Sequence, residues 1–269
     1  VDKVIARMIV KPNSQLSLNR RDPDETFGWD KEAAKSELLV MHQRINVLQR
    51  CLAAQRQHSL LVVLQAMDAC GKDGTIRDVF GALNPAGVKV VSFKAPVGYE
   101  LEHDYLWRAH AATPARGEIT VWNRSHYESV LVERVRSLVT VERCDRRYRH
   151  IREFERLLVD EGTHIIKINL NVSFEEQRVR LQDRIDDPTE RWKFRLGDLD
   201  DRKLWPHYRK AYELALSETS TENAPWFVVP GNKKWVRNLA VATIVLAELE
   251  AIGPKLPPDD PALAGLQVV

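Results

Sequence analysis

The stretch L-L-V-V-L-Q-A-M-D-A-C-G-K-D-G-T, residues 60–75, decides the reading of this chain. Its first six residues are a short apolar run closed by Gln65, which predicts a β-strand. A turn of small residues follows, and a helix is expected from about Lys72. Ala66, Ala69, Cys70, Gly71 and Gly74 allow close approach, so backbone N–H groups at a helix start can face an anion while Lys72 reaches its oxygens. The loop departs from the usual Walker A pattern. Ala66 stands at the first glycine, and Asp73 stands where Ser or Thr would bind magnesium. Asp68 offers a carboxylate inside the loop for an oxygen-seeking cation. The phosphate-binding set expected here is Ala69, Cys70, Gly71, Asp73, Gly74 and Thr75 around Asp68 and Lys72. Taken alone, G-K-D-G also fits an ordinary strand-to-helix turn.

Outward from this loop, strand and helix patterns alternate. Residues 31–56 have helical spacing, with Leu38, Leu39, Ile45, Leu48 and Leu52 on the expected buried face. Further strands are expected at 88–93, 118–122, 164–170 and 226–229. Helices are expected at 100–112, 127–138, 142–160, 174–185, 199–217 and 234–251. This order predicts a three-layer α/β/α sandwich with a mostly parallel five-stranded sheet, its ligand along the C-terminal strand edge. Residues 1–30 read as an irregular arm, 31–252 as the domain, and 253–269 as a proline-rich tail.

Composition narrows the class. The 269 residues are 44% hydrophobic and 29% charged, which suits a folded globular chain. No apolar run approaches the ~20 residues of a membrane span, and Lys3, Arg7 and Lys11 interrupt any signal-peptide core. Cys51, Cys70 and Cys144 are odd in number and lack metal-site spacing, which points to a reducing cytoplasm without disulfides or zinc. The net charge is only +2. Eight arginines from Arg134 to Arg156 crowd one helical stretch. They suit either a polyanionic partner or a solvated face interspersed with Glu and Asp. A nucleic-acid-binding module is a rival reading. The near-neutral total, the absent binding motif and the phosphate loop count against it, so neither nucleic acid nor membrane is expected as a partner.

A second chemical signal is V-W-N-R-S-H-Y-E, residues 121–128, again at a strand end. Asn123 can hold a metal-bound water, Arg124 can clamp a phosphoryl group, and Glu128 can supply a carboxylate. Lys94 and Arg108 are further cations near strand ends, and Arg178, Arg180, Arg184, Arg191, Lys193 and Arg195 lie on and after a helix where a lid would close over phosphates, though the stretch also fits a solvated charged hairpin. His110 and His126 are expected to be structural.

Together these strings resemble the polyphosphate kinase type 2 family, a P-loop kinase lineage similar to thymidylate kinase. The resemblance rests on Q-A-M-D-A-C-G-K-D-G-T-I-R-D-V (65–79), N-P-A-G-V-K-V (84–90), S-F-K-A-P (92–96) and E-L-E-H-D-Y-L-W-R-A-H (100–110). It continues through N-R-S-H-Y-E-S-V-L-V (123–132), W-K-F-R-L-G-D-L (192–199) and W-F-V-V-P-G-N-K-K-W-V-R-N-L (226–239), and so covers about residues 22–252. The resemblance implies that Asp68 and Lys72 are the Walker A acid and lysine, and that Arg124 follows the Walker B strand as a third catalytic residue. Residues 184–205 become a lid, and Lys94, Arg108 and the lid arginines, Arg184 among them, help to line a basic groove for polyphosphate, with Arg178 and Lys193 among the phosphate- or nucleotide-binding residues. It further implies Mg²⁺-dependent, reversible phosphoryl transfer between polyphosphate and AMP, ADP, ATP or guanine analogues, by a homodimer or homotetramer. Some branches carry Asp where this chain has Asn123, so Glu128 becomes the expected metal partner of Asp68. The N-R-S-H-Y-E form resembles the branch that accepts both AMP and ADP. An ATP-dependent kinase of a nucleotide or other small acceptor is the alternative.

Overall fold

The computed structural model describes residues 2–268. Val1 and Val269, the outermost residues of the expected arm and tail, lie outside them. In chain order the helices and strands are α1 (Asp2–Met8), β1 (Ile9–Val10), α2 (Lys31–Gln55), β2 (Ser59–Gln65), α3 (Lys72–Thr75) and β3 (Val88–Ser92). Then come α4 (Trp107–Ala111), β4 (Ile119–Asn123), α5 (Val132–Val135), α6 (Val141–Asp160), β5 (Thr163–Asn171) and α7 (Phe174–Asp186). The chain closes with α8 (Leu196–Lys203), α9 (Trp205–Thr219), β6 (Trp226–Pro230) and α10 (Lys234–Ile252).

The sheet order is β1-β6-β5-β2-β4-β3. Its five long strands are parallel, as the alternating pattern predicts. The sixth was not expected: Ile9–Val10 of the arm pairs antiparallel with β6 at Phe227 and Trp226. The two-residue strand is too short to carry a periodic signal in sequence.

Both faces of β2 are covered. Leu60, Val62 and Leu64 pack with Met41, Ile45 and Leu52 of α2 and Leu239 to Leu249 of α10. Leu61 and Val63 point the other way, into a layer with Ile151 and Phe154 of α6 and Tyr212 and Leu216 of α9. Burial on both faces explains the unbroken apolar run, because no solvent face demands alternation. Asp30 caps α2 by accepting from the N–H groups of Glu32 and Ala33, Thr140 caps α6 and Ser173 caps α7.

Three expected helices are broken in the structure. Residues 100–112 form a 3-10 turn (Gly98–Glu102) and the short α4. Residues 127–138 divide into a turn at His126–Ser129 and α5. The 199–217 pattern splits at Leu204, where α8 ends and α9 starts with Pro206 in its first turn. In the tail, only a turn at Pro261–Leu263 is regular among the described residues.

Candidate active site

Register places the chemistry. Leu64 of β2 is level with Asn123 of β4, so the two strand ends open side by side, and the Arg124 N–H donates to the Leu64 carbonyl at 3.0 Å. After β2 the chain turns tightly, with Ala69 at φ +61° and Gly71 at φ +95°. The Lys72 ammonium lies across its own loop and donates to the carbonyls of Ala66 (2.7 Å) and Met67 (3.1 Å). Burial lowers its pKa from the ordinary lysine value, Arg124 adds to that, and Asp68 opposes it. Thr75 hydroxyl donates to the Gly71 carbonyl at 3.0 Å, so it serves the helix start rather than the loop mouth. Cys70 is buried, and desolvation pushes its thiol up to about 11, which makes it packing rather than a nucleophile.

Arg124, itself at φ +63°, turns its guanidinium back to hydrogen-bond and ion-pair with Asp68, and stands 3.8 Å from Glu128. Burial drives the Asp68 carboxyl upward, but Lys72 and Arg124 outweigh it and hold the group below its ordinary value. Glu128 goes the other way. Its burial exceeds the pull of Arg124 and Lys72, so its pKa rises. Gln65, with its amide oriented to satisfy both neighbours, donates to Glu128 at 3.1 Å and accepts from Ser125 at 3.0 Å. Asn123 donates to Asp73 at 2.7 Å, which closes the loop from the β4 side.

Below this cluster lies a buried polar network. Lys167 of β5 donates to Glu155 (2.5 Å), the Thr219 carbonyl (2.7 Å) and the Tyr127 hydroxyl (3.1 Å). Tyr127 in turn donates to Glu155 at 2.7 Å. Its members come from β5, α6, α9 and the turn after β4, so they fix the segment that carries Arg124 and Glu128. His126 packs within it, and burial keeps its pKa low and its ring neutral. This agrees with the structural role expected for it.

Beside Glu128 and Ser125 a cavity of about 650 Å³ opens toward α4 and α6. Arg108, His103, Tyr105, Arg143 and Arg147 line it. Its mixture of ring, carboxylate and guanidinium groups suits a compact ligand with both apolar and anionic parts. Arg108 donates to the Lys94 carbonyl at 2.7 Å, whereas the Lys94 side chain stands on an exposed residue. Of the arginine stretch, Arg147 is buried against Glu133 and the Ser129 carbonyl, while Arg149 and Arg156 pair along the helix with Glu153 and Asp160. That is the solvated, acid-interspersed face for most of α6.

The lid residues divide. Arg184 acts electrostatically on both Asp68 and Asp198, so it faces the loop. Arg178 does not: it is exposed and paired with Glu175. The helical period explains this, because Arg180 and Arg184 share one face of α7 and residue 178 is turned well away from it. Lys193 pairs with Glu190 and lies over the Trp192 ring, between α7 and α8. Arg202 of α8 donates to Gln177 at 3.1 Å, and Gln177 donates to the Asp68 carbonyl at 2.9 Å, so α8, α7 and the loop are tied together.

Gly71 and Gly74 meet a demand that the sequence did not reveal. A Cβ on Gly71 would stand 2.2 Å from Arg237 Nη1, and one on Gly74 would stand 3.3 Å from Arg237 Nη2. Both glycines therefore make room for a buried arginine of α10. Gln65, Ser125, Gln177, Asp198 and Arg237 were all missed as site residues. Asp198 and Arg237 sit inside the quoted strings W-K-F-R-L-G-D-L and W-F-V-V-P-G-N-K-K-W-V-R-N-L, which was the available signal. Asp198, raised by burial and then by the Asp68 charge, brings a further carboxylate toward the loop.

The comparisons agree with this geometry. The chain is 53% identical to an AMP/ADP-polyphosphate phosphotransferase of Meiothermus ruber over 94% of its length and 96% of that protein. It is 40% identical to an ADP-polyphosphate phosphotransferase of Rhodopseudomonas palustris, covering 88% and 86% of the two chains. A crystal structure of polyphosphate kinase 2 from Arthrobacter aurescens superposes with a TM-score of 0.90 at 41% identity, over 94% of this chain and 91% of that one. The family profile for polyphosphate kinase 2 matches residues 28–256, which includes the loop after β2, the β4 turn and residues 184–205. With that coverage and these side chains in place, the chain belongs to the polyphosphate kinase 2 family.

Proposed function

We propose that this chain moves phosphoryl groups between inorganic polyphosphate and adenine nucleotides, accepting both AMP and ADP. The observation that carries the reading is the convergence of Lys72, Asp68, Arg124 and Glu128 at one strand edge, beside a cavity of nucleotide size. The name of the Meiothermus ruber relative, which includes both AMP and ADP, supports the choice of acceptor.

The nucleotide enters the cavity lined by Arg108 and Ser125, with its terminal phosphate toward Arg124. A phosphate oxygen of the nucleotide attacks the terminal phosphorus of polyphosphate. The new P–O bond forms as the bridging P–O bond breaks, and the electron pair leaves with the shortened polyphosphate. The attacking oxygen is already anionic, so no strong general base is required. Charge spreads over the migrating oxygens in the loose transition state, and Lys72 and Arg124 offset it. Lys72 must leave the carbonyls of Ala66 and Met67 to do so, and Arg124 must loosen from Asp68. Residues 184–205 act as the lid that excludes water.

The residues present fit Mg²⁺. Among the described residues no cluster of three or more His, Cys, Asp or Glu could hold a metal, so no all-protein cage exists. Mg²⁺ is commonly bound by one or two carboxylates plus substrate phosphates, and Asp68 with Glu128 supplies that number, with Asp198 facing them from the lid. Asp68 and Glu128 would hold the ion, which would supply positive charge to offset that of the phosphates. The resemblance also supports a cytoplasmic homo-oligomer and use of guanine analogues.

Incubation with polyphosphate, Mg²⁺ and AMP or ADP, without ATP, tests the reading. Formation of ADP and ATP supports it. No product from polyphosphate, with turnover when ATP is the donor, would make the chain an ATP-dependent small-molecule kinase.

A further inference from the structure

The phosphate loop follows β2, the central strand, so it has two flanks. On the β4–β3 flank lies the cavity already described. On the β5–β6 flank, α7 and α10 bring Arg180 and Arg237 against Gly71. Both guanidinium groups are buried, with 8% and 2% of their side chains exposed. Arg180 donates to Glu176 (2.8 Å) and to the carbonyls of Gly231 (2.7 Å) and Asn232 (2.9 Å). Its Nη1 is buried and has no hydrogen-bond partner. That atom lies 3.5 Å from the position a Gly71 Cβ would occupy, and Arg237 Nη1 lies 2.2 Å from the same point. Arg237 spends its other nitrogens on Asn238, and its nearest carboxylate, Asp78, is 3.7 Å away.

Two like charges therefore converge on one glycine with their Nη1 corners unspent. Burying an unsatisfied cationic donor is costly, and a second cation beside it adds to the cost. Burial and the Arg180 charge together lower the Arg237 pKa to about 10. An oxyanion between the two forks removes both penalties, since each fork is shaped to donate to phosphate oxygens. The space beside Gly71 is filled by Arg237 Nη1 in this structure, so the oxyanion enters as that fork turns aside, and Arg184, one turn beyond Arg180 on α7, continues the basic line toward Asp68.

We infer that Arg180 and Arg237 form an anion subsite for a phosphate of the polyphosphate chain, on the flank of the loop opposite the nucleotide cavity. This rests on the proposed polyphosphate activity. In the structure the Nη1 atoms of Arg237 and Arg180 both lie within 3.5 Å of the position a Gly71 Cβ would occupy. The incoming phosphate wedges between the two, and the terminal torsions of Arg237 rotate to admit it. The phosphate is held without covalent change. The flank offers two guanidinium groups, which suit a repetitive polyanion rather than a nucleoside.

The test measures tripolyphosphate, orthophosphate and ADP binding by titration calorimetry on wild type, Arg180→Gln, Arg180→Lys and Arg237→Gln. Charged hydrogen bonds of this kind carry about a tenfold effect or more. Arg180→Gln and Arg237→Gln are expected to weaken tripolyphosphate by about that factor and ADP by less than about twofold. Arg180→Lys, which keeps the charge but not the fork, is expected to fall between them. If Arg180→Gln does not fold, judged by its melting profile, Arg180→Lys and Arg237→Gln carry the test. Tripolyphosphate affinity unchanged in these variants overturns the subsite. Equal losses for ADP and tripolyphosphate overturn its placement on the polyphosphate flank, and orthophosphate bound as tightly as tripolyphosphate overturns the choice of ligand. A folded wild type that binds no tripolyphosphate at all rejects the polyphosphate reading itself, a separate outcome from the others.

Discussion

Replacing Lys167 by Met tests whether the buried network beneath the β4 turn holds the site in place. Lys167 and Glu155 are each fully or almost fully buried, and Lys167 makes contacts at 2.5, 2.7 and 3.1 Å. Methionine keeps the length of the side chain but leaves Glu155 with Tyr127 and a neutral His126 as its partners. Breaking one half of a buried pair costs about 3–5 kcal/mol. At about 2–4 °C per kcal/mol for a chain of this size, the melting temperature should fall by roughly 6–20 °C. The sign of the pH effect also follows. In the wild type Lys167 holds the Glu155 carboxyl below its ordinary value despite burial, so its stabilisation is present above the unfolded pKa and lost as pH falls through the folded one. In the variant the isolated carboxyl titrates above its unfolded value, and its penalty grows as pH rises. The stability gap between the two proteins should therefore narrow on acidification. Lys167→Met/Glu155→Gln should recover more than half of the loss, because no stranded charge remains. Thermal or urea unfolding at several pH values measures this. A single variant within about 1 kcal/mol of wild type, or a double variant no better than the single, would refute the argument.

Other outcomes follow from the same geometry. Gly71→Ala places a Cβ 2.2 Å from Arg237 Nη1 at a φ of +95°, so it should lower kcat sharply and cost about 1–3 kcal/mol of stability; unchanged unfolding and activity would remove the close approach as a constraint. Glu128 is raised by burial while Asp68 is held low by Lys72 and Arg124, so the acid limb of kcat/KM should lie above the ordinary glutamate range. Glu128→Gln should reduce kcat and move that limb downward, and a limb unmoved in a pH–rate series would exclude Glu128. Arg108→Met should raise the nucleotide KM by about tenfold with little change for polyphosphate, because Arg108 lines only the cavity flank; equal effects on both substrates in initial-rate assays would contradict that division.

Much of the fold was legible because it is written in long periodic signals. The run at β2 is buried on both faces, and α2, α6, α7 and α10 begin and end within a residue or two of their patterns. The failures have local causes. Pro206 and the Leu204 cap divide one continuous apolar pattern into α8 and α9, and β1 is two residues long. At the site, Asp68, Lys72, Arg124 and Glu128 were readable because they sit at two strand ends that register brings together. Arg178 was misplaced because composition does not say which face of a helix looks inward. Arg180 and Arg237 were overlooked as a pair because they are 57 positions apart in a chain whose crossovers alone unite them.

The most direct test of the central claim is ³¹P NMR of polyphosphate, Mg²⁺ and AMP with no ATP present, run with wild type and with Lys72→Ala. The wild type should convert terminal polyphosphate signal into the β-phosphate resonance of ADP and then the γ-phosphate resonance of ATP, while folded Lys72→Ala leaves the spectrum unchanged. A folded wild type that produces no nucleotide β-phosphate, or a Lys72→Ala protein that produces it at the wild-type rate, would contradict the account.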